Sequence, residues 1–485
     1  MKNTLFAILL IAVLTSGCKK FSEFQTDPNK STSATPDLLL NSIEQTAFQS
    51  SSVSVAFASR QMVYTDAVSL QQYYGWTRGS YANYGNLRQV VKMEQAATTQ
   101  SKAEYLPIAK FFRAWYFLQL TQMFGDIPYT QALKGENDVN TPVYDKQEDI
   151  YLSILNDLKS ANEMISASTA AVQGDIVYNG NMQQWKKAIN SLSLRVLISL
   201  SLKENNTKLE VKKRFAEIVS NPTVYPLMAS NTDNAQLKFY DLLNNRYPYF
   251  NSNDMQTAYY MEETFVDLLK RLQDTRLFTF ADKAPKNSAL STTDFNAYGG
   301  AKGSAAVNEN NARSVAGELS KINPRYYNNP VNEPSIALGY AETQFTLAEA
   351  VSRGWISGNT SDYYQKGVQA SMLFYGIAQP AIDTYLSQAS VQLSASAAPL
   401  NNILTQKYIA TFMNSDWQPF YEQRRTGIPV FDVSGAGVLN SKRIPKRWLY
   451  PESELRLNQQ NVSAAIASQY SGGDDINAVM WLLKP

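Results

Sequence analysis

Residues 105–124 read YLPIAKFFRAWYFLQLTQMF, and GDIPYT follows at 125–130. Phe112, Trp115, Tyr116 and Leu120 fall near one face at helical spacing, and apolar residues occupy most of the other sides. A helix that is apolar all round is surrounded by protein, so this stretch is expected at the centre of the core. Gly125 and Pro128 stop it, the first by accepting a helix-ending conformation and the second by lacking the N–H that would continue it.

The segments on either side have the same character. Ile150, Ile154, Leu158, Ala161 and Ile165 form one amphipathic stripe, and Trp185, Ile189, Leu192, Val196 and Leu200 form another. The helical segments recur at roughly 35–40 residues, close to the helix-turn-helix period of tetratricopeptide arrays. Upstream, Pro36 suits a helix start. Leu38 to Ala47 and Val55 to Val68 read as two segments of a long hairpin, and Tyr84, Leu87 and Val91 open a second pair after an aromatic-rich break at 71–84. Residues 221–335 interrupt the pattern with Asn, Pro, Gly, Ser and Tyr and contain one good helix, Glu262 to Leu272. Helical spacing then returns at Ala341, Phe345, Ala348 and Ser352, at Tyr364, Val368, Met372 and Tyr375, and at Leu404, Tyr408 and Phe412. The expected fold is mainly all-α: a tetratricopeptide-like α-solenoid scaffold with a large loop-rich insert.

The N-terminus is a separate matter. Lys2 precedes ten apolar residues, Leu5 to Leu14, and the small residues Ser16 and Gly17 lead to Cys18, the one cysteine of the chain. That is the layout of a cleaved secretory signal. Ten residues at ~1.5 Å each cannot cross a hydrocarbon layer of ~30 Å. Leu14-Thr15-Ser16-Gly17-Cys18 resembles a bacterial lipobox, which implies that Cys18 is diacylated through sulfur and becomes the first residue of the mature chain; the alternative is a buried structural cysteine. Two acyl chains hold a protein stably on a membrane. The expected organisation is a signal peptide at 1–17, a lipidated tether at 18–36 and the helical domain at 37–485.

Composition narrows the chemistry. Across 485 residues, Lys+Arg 44 against Asp+Glu 42 gives a net charge of +2, which offers no electrostatic footprint for nucleic acid. Histidine is absent, so Ser-His-Asp triads, Cys-His pairs and Cys/His zinc sites are excluded. No second cysteine exists to form a disulfide within the chain. Carboxylates remain, namely Glu262, Glu263 and Asp267, or Glu342 with Glu349, and a glycosidase needs two of them ~5–9.5 Å apart across a cleft. Both groups sit in helical patterns and read as solvated faces or packing pairs. Gly472-Gly473-Asp474-Asp475 lacks the spaced acids of a calcium loop and reads as a turn. No cofactor and no metal are expected.

Aromatic residues are abundant, with Tyr 29, Phe 21 and Trp 7. Gln71-Gln72-Tyr73-Tyr74-Gly75-Trp76, extended by Tyr81, Asn83 and Tyr84, lies where no helix is expected. Arg246 to Asn251, Tyr298-Gly299-Gly300 and Arg325 to Asn328 lie in the insert. Sugar rings have apolar C–H faces and hydroxyl rims, which suit flat aromatics beside amides. The candidate ligand residues are therefore Tyr73, Tyr74, Trp76, Tyr81, Tyr84, Tyr249, Asn251, Tyr298 and Tyr326, in one cleft if the insert folds over the first cluster. The competing reading is that these rings pack loops onto helices.

Arg113-Ala114-Trp115 through Phe124-Gly125-Asp126-Ile127-Pro128-Tyr129-Thr130 resembles the SusD/RagB family of nutrient-binding outer-membrane lipoproteins. Thr26 to Asn29, Tyr144 to Tyr151, Asp175 to Tyr178 leading to Trp185, Ala348-Glu349-Ala350 with Arg353-Gly354-Trp355, Arg424 to Pro429, and Arg443 to Pro451 match in the family's order. The resemblance implies a non-catalytic surface lipoprotein, tethered through Cys18 to the outer membrane. It would capture a glycan, or in some branches a peptide, and pass it to a SusC-type TonB-dependent transporter. It implies no ligand residues, because these vary between members, and assigns the shared motifs to the scaffold or the transporter face. The other readings are a lipid-anchored glycoside hydrolase and a helical scaffold that binds only protein.

Overall fold

The computed structural model describes residues 34–49, 52–393 and 397–485. The signal peptide, Cys18 and nearly all of the tether lie outside the described residues.

The longer helices are α1 (Pro36–Phe48), α2 (Ala82–Thr99), α3 (Leu106–Phe124), α4 (Gln147–Met164), α5 (Met182–Ser199), α6 (Val211–Ser220), α7 (Glu263–Arg271), α8 (Tyr340–Ser352), α9 (Thr360–Phe374), α10 (Pro399–Ile409), α11 (Gln418–Thr426) and α12 (Gln459–Gln469). From α1 to α6 each packs on the next, and α8 packs on α9, α10 and α5, which joins the two blocks of helices. The fold is mainly α-helical, as the spacing predicts.

α3 occupies the centre because its sequence leaves no polar face. Phe111, Phe112 and Trp115 interlock with Phe48 of α1 and Trp185 of α5. Gly125 ends the helix at φ +89°, its N–H bonding the Thr121 carbonyl at 2.9 Å. A Cβ there would meet Gln469 Oε1 at 2.3 Å, a contact that side chain would have to yield, but it is the positive φ that calls for glycine at the stop.

Two antiparallel strand pairs place the insert. These are β1 (Met62–Tyr64), β2 (Ala235–Leu237), β3 (Tyr259–Met261) and β4 (Ser335–Leu338). β2 pairs with β4 and closes the base of the insert, while β1 pairs with β3 in the register Met62↔Met261 and Tyr64↔Tyr259. The insert therefore does fold over the stretch that leads into residues 71–84. This pairing also overturns the expected helix from Val55 to Val68. A short helix, Val53–Ala58, ends before Arg60, which stands at φ +55°, and the chain emerges as β1. Inside the insert there are short helical segments at Asn253–Thr257, Leu277–Phe280, Val307–Val315 and Arg325–Asn328 besides α7, where one helix is expected from spacing.

Buried ion pairs fasten the helices to one another. Arg195 of α5 forks onto Glu342 of α8. Arg425 of α11 forks onto Glu349 of α8 at 2.6 and 2.9 Å and also reaches Glu422, which Lys407 of α10 pairs at 3.2 Å. Arg424 donates to the carbonyls of Gln122 and Lys446. Buried charges of this kind are tolerated because each has an ion-pair partner or, for Arg424, carbonyls to donate to.

Candidate ligand-binding site

Five of the expected ligand residues are core residues. Tyr73, Tyr74, Trp76, Tyr298 and Tyr326 are buried. Tyr74 lies under the Arg60 guanidinium at 4.4 Å and donates its hydroxyl to the Ala58 carbonyl at 2.9 Å. Tyr73 packs so closely on Gly437 that a Cβ there would be 2.4 Å from its ring. Tyr298 packs on Phe278 and donates to Thr292, and Tyr326 packs on Phe412. Tyr81 and Tyr84 are half-buried and donate to the Tyr144 hydroxyl and the Pro128 carbonyl. Tyr249 is half-buried, its oxygen accepting the Val53 N–H at 3.0 Å, while Asn251 is exposed at φ +59°. The expectation that one set of rings faces one ligand is thus corrected. Strand pairing closes these loops, and a ring that can bury its faces while its hydroxyl finds a carbonyl goes inside.

What the 71–84 stretch does build is a support. Trp76 stacks on Trp448 at 4.7 Å with the planes 2° apart, and both stand edge-on to Trp417, at 5.9 and 4.8 Å. Trp417 is partly exposed and lines a cavity of about 250 Å³ between α1, α2, α3 and the start of α11. Facing it are Asn83 and Asn86 of α2, Gln119 of α3, and Asp416. Asn86 donates to Asn83 at 3.1 Å, Asn83 donates to Gln119 at 2.9 Å, and the Gln119 amide reaches Asp416 at 3.5 Å. Amide after amide is oriented by the next, and the carboxylate fixes the end of the row. Tyr116 and Tyr421 add two more rings, and the Tyr116 hydroxyl is buried with no hydrogen-bond partner among the described residues.

The turn that carries Asp416 is unusual. Met413, Ser415 and Asp416 all have positive φ, at +56°, +64° and +47°. Non-glycine residues held this way cost free energy, and such strain gathers at functional sites. Burial pushes the Asp416 carboxyl up to about 6, with the Trp417 backbone N–H and Arg195 working in the opposite direction. The cavity thus offers aromatic surface, amides that donate and accept, and one carboxyl near its titration point. Asn83 belongs to the aromatic stretch picked out in the sequence, whereas Asn86, Gln119, Asp416 and Trp417 escape that reading. The sequence clue to the last two is Asn414-Ser415-Asp416-Trp417, turn-forming residues followed by a large ring, directly after the helical spacing of α10.

Of the carboxylates left open for catalysis, Glu262, Glu342 and Glu349 hold the structure together, Glu263 pairs with Arg313 at 3.0 Å, and Asp267 is exposed. Glu262 is fully buried and accepts the N–H groups of Thr264, Phe265 and Gly303. Glu342 and Glu349 are the partners of Arg195 and Arg425. Asp474 of the Gly-Gly-Asp-Asp turn pairs with Arg447 and Arg78. Among the described residues no group of three or more His, Cys, Asp or Glu side chains is placed to hold a metal ion.

A family model described as starch-binding and associating with the outer membrane, SusD-like, matches residues 28–451. The chain belongs to the SusD-like family. An outer-membrane protein of Bacteroides vulgatus described as involved in nutrient binding is 40% identical, over 93% of this chain and 100% of its own, with a TM-score of 0.87. Two SusD homologues of Bacteroides fragilis are 40% and 33% identical, each over 93% of this chain and over 99% and 100% of their own, with TM-scores of 0.86 and 0.87. No curated protein matches the chain. As a SusD-like protein it is an outer-membrane nutrient-binding protein of a non-catalytic family. The motif residues Arg424 and Arg425, expected to serve the scaffold, pair inside it with carbonyls and acids.

Proposed function

We propose that this protein binds an oligosaccharide at the Trp417 cavity and delivers it to a SusC-type TonB-dependent transporter, from the outer face of the outer membrane and tethered there through diacylated Cys18. The observation that carries the ligand class is the row Asn86–Asn83–Gln119–Asp416 beside Trp417. Amides fixed in orientation match vicinal hydroxyls, and a partly exposed indole matches the C–H face of a pyranose. The family's starch-binding description favours the same class. The transporter partner and the anchor rest on the family resemblance and on the lipobox-like Leu14 to Cys18.

Calorimetry of the chain lacking residues 1–18 against a panel of neutral oligosaccharides and short peptides tests the reading. At least one saccharide binds, and Asn83→Ala weakens it about tenfold, as loss of a hydrogen bond of ~1 kcal/mol and disorder of its neighbours require. Binding confined to peptides moves the protein to the peptide branch of its family. Binding of nothing by well-folded protein overturns the assignment.

A further inference from the structure

A second cavity, of about 520 Å³, lies on the insert side of the molecule between α7, α10 and the Ile428–Phe431 loop. Its volume falls in the range of small-molecule sites, ~300–1,000 Å³. The floor is apolar and rigid: Phe265, Tyr408 and Phe431 are buried and ring-packed on one another. Behind it, Gln406 is fixed at both ends, accepting from Arg276 at 2.6 Å and donating to the Tyr385 hydroxyl at 2.6 Å. Pro429 and Val430 form one lip, and Val430 is 84% exposed. An aliphatic side chain held out at the mouth of a cavity has surface to bury against whatever enters.

The polar lip is of one electrostatic kind. Arg271, the last residue of α7, lines the cavity, is exposed, and has neither ion pair nor hydrogen bond among the described residues. Asn401 and Thr405 of α10 also line it, with side chains equally unengaged. Among the described residues no carboxylate lines the cavity. The Trp417 cavity is the reverse, with Asp416 as its charged lining residue. One unpaired guanidinium above an apolar floor selects an anionic group on an otherwise amphipathic body.

We infer that this cavity is a second ligand subsite, specific for an acidic sugar unit whose carboxylate or sulfate pairs with Arg271 while its ring lies against Pro429 and Val430. It rests on the saccharide class of the proposed function, which the family's starch-binding description also favours, and not on a ligand occupying the Trp417 cavity.

The test is calorimetry on the soluble Cys18→Ser protein with three probes of equal length: trigalacturonate, a 6-sulfated glucose trimer and maltotriose. An acidic trimer binds, losing about tenfold in affinity in Arg271→Gln and further affinity between 50 and 500 mM salt, roughly what removal of a charge-assisted hydrogen bond and Debye screening produce. Thr405→Phe, which fills the cavity, removes acidic binding, while Asn86→Ala, in the other cavity, leaves it in place. Whichever acid binds identifies the anionic group. Binding of neither acid, equal binding of maltotriose that persists in Asn86→Ala, or acidic binding abolished by Asn86→Ala and untouched by Arg271→Gln overturns the inference. Maltotriose binding lost in Asn86→Ala bears on the Trp417 cavity alone, so the two readings fail separately.

Discussion

At the scale of the residue, Asp416 concentrates the tension between stability and binding. Its carboxyl titrates near 6 in the folded protein and near 3.8 as an unperturbed group. Between those values the folded chain keeps a proton that the unfolded chain has released, so stability falls as pH rises through about 4 to 6. Asp416→Asn removes that charge and suits the left-handed backbone at φ +47°. The variant is expected to be more stable than the parent at pH 7 by about 1–2 kcal/mol, allowing for the partial exposure of the group. At pH 4 the two are nearly equal, as urea unfolding at the two pH values will read. Saccharide affinity of the parent is expected to drop as pH falls below about 6, when the carboxyl stops being a pure acceptor, and that of the variant to stay flat. Part of this is legible in the sequence: Asn83 lies within an aromatic run whose rings are the expected ligand surface. Tyr74 and Trp76 serve instead as packing for Arg60 and Trp417, because nothing in a sequence tells a ring stacked on sugar from one stacked on Trp448.

Among elements, what spacing reveals is whatever a single helix decides for itself. The helices α3, α4, α5 and α9 bury the faces their periodicity marks, and Gly125 stops α3 where its chemistry says, whereas α8 is buried on nearly all sides from Glu342 to Ala350 and leaves Ser352 of its expected face exposed. The segment after Ala58 was illegible because its structure is set from elsewhere: β1 exists by pairing with β3, which arrives much later in the chain. The joints between helix blocks were half legible. Arg424 and Arg425 stand out as a motif, but their destinations, the Gln122 and Lys446 carbonyls for Arg424 and Glu349 and Glu422 for Arg425, come from tertiary structure. Arg425 holds the Glu349 carboxyl below its ordinary range against the opposing effect of burial, and with Lys407 it holds Glu422 down to about 2. Carboxyls depressed on folding stabilise above their unfolded value and lose that contribution as pH falls towards the folded one. Acid unfolding should therefore steepen below about pH 4.5. Glu349→Gln is expected to cost about 3 kcal/mol at pH 7, by leaving Arg425 with Glu422 as its carboxylate partner and removing the partner that Arg353 holds at 2.8 Å, and to flatten that acid arm; a urea series at pH 7 and pH 3 checks both.

Across the whole molecule, the anchoring reading makes its own prediction. Cys18→Ser should move the protein from the membrane fraction to the soluble one and leave ligand affinity unchanged. Retention on membranes that lack a transporter partner would sink the lipid anchor. From Cys18 to Pro36 the chain spans at most ~60 Å when fully extended, which is the reach that the proposed anchor would allow. The Trp417 cavity carries a different consequence. Its two walls meet through a hydrogen bond between Gln119 and Asp416, residues 297 positions apart. A ribosome delivers the first wall long before the second, and an unfolded chain carries two halves that form no cavity. With the Trp417 cavity as the proposed site, the protein is therefore empty at birth: it can take up a ligand only once synthesis is complete and both walls have folded together.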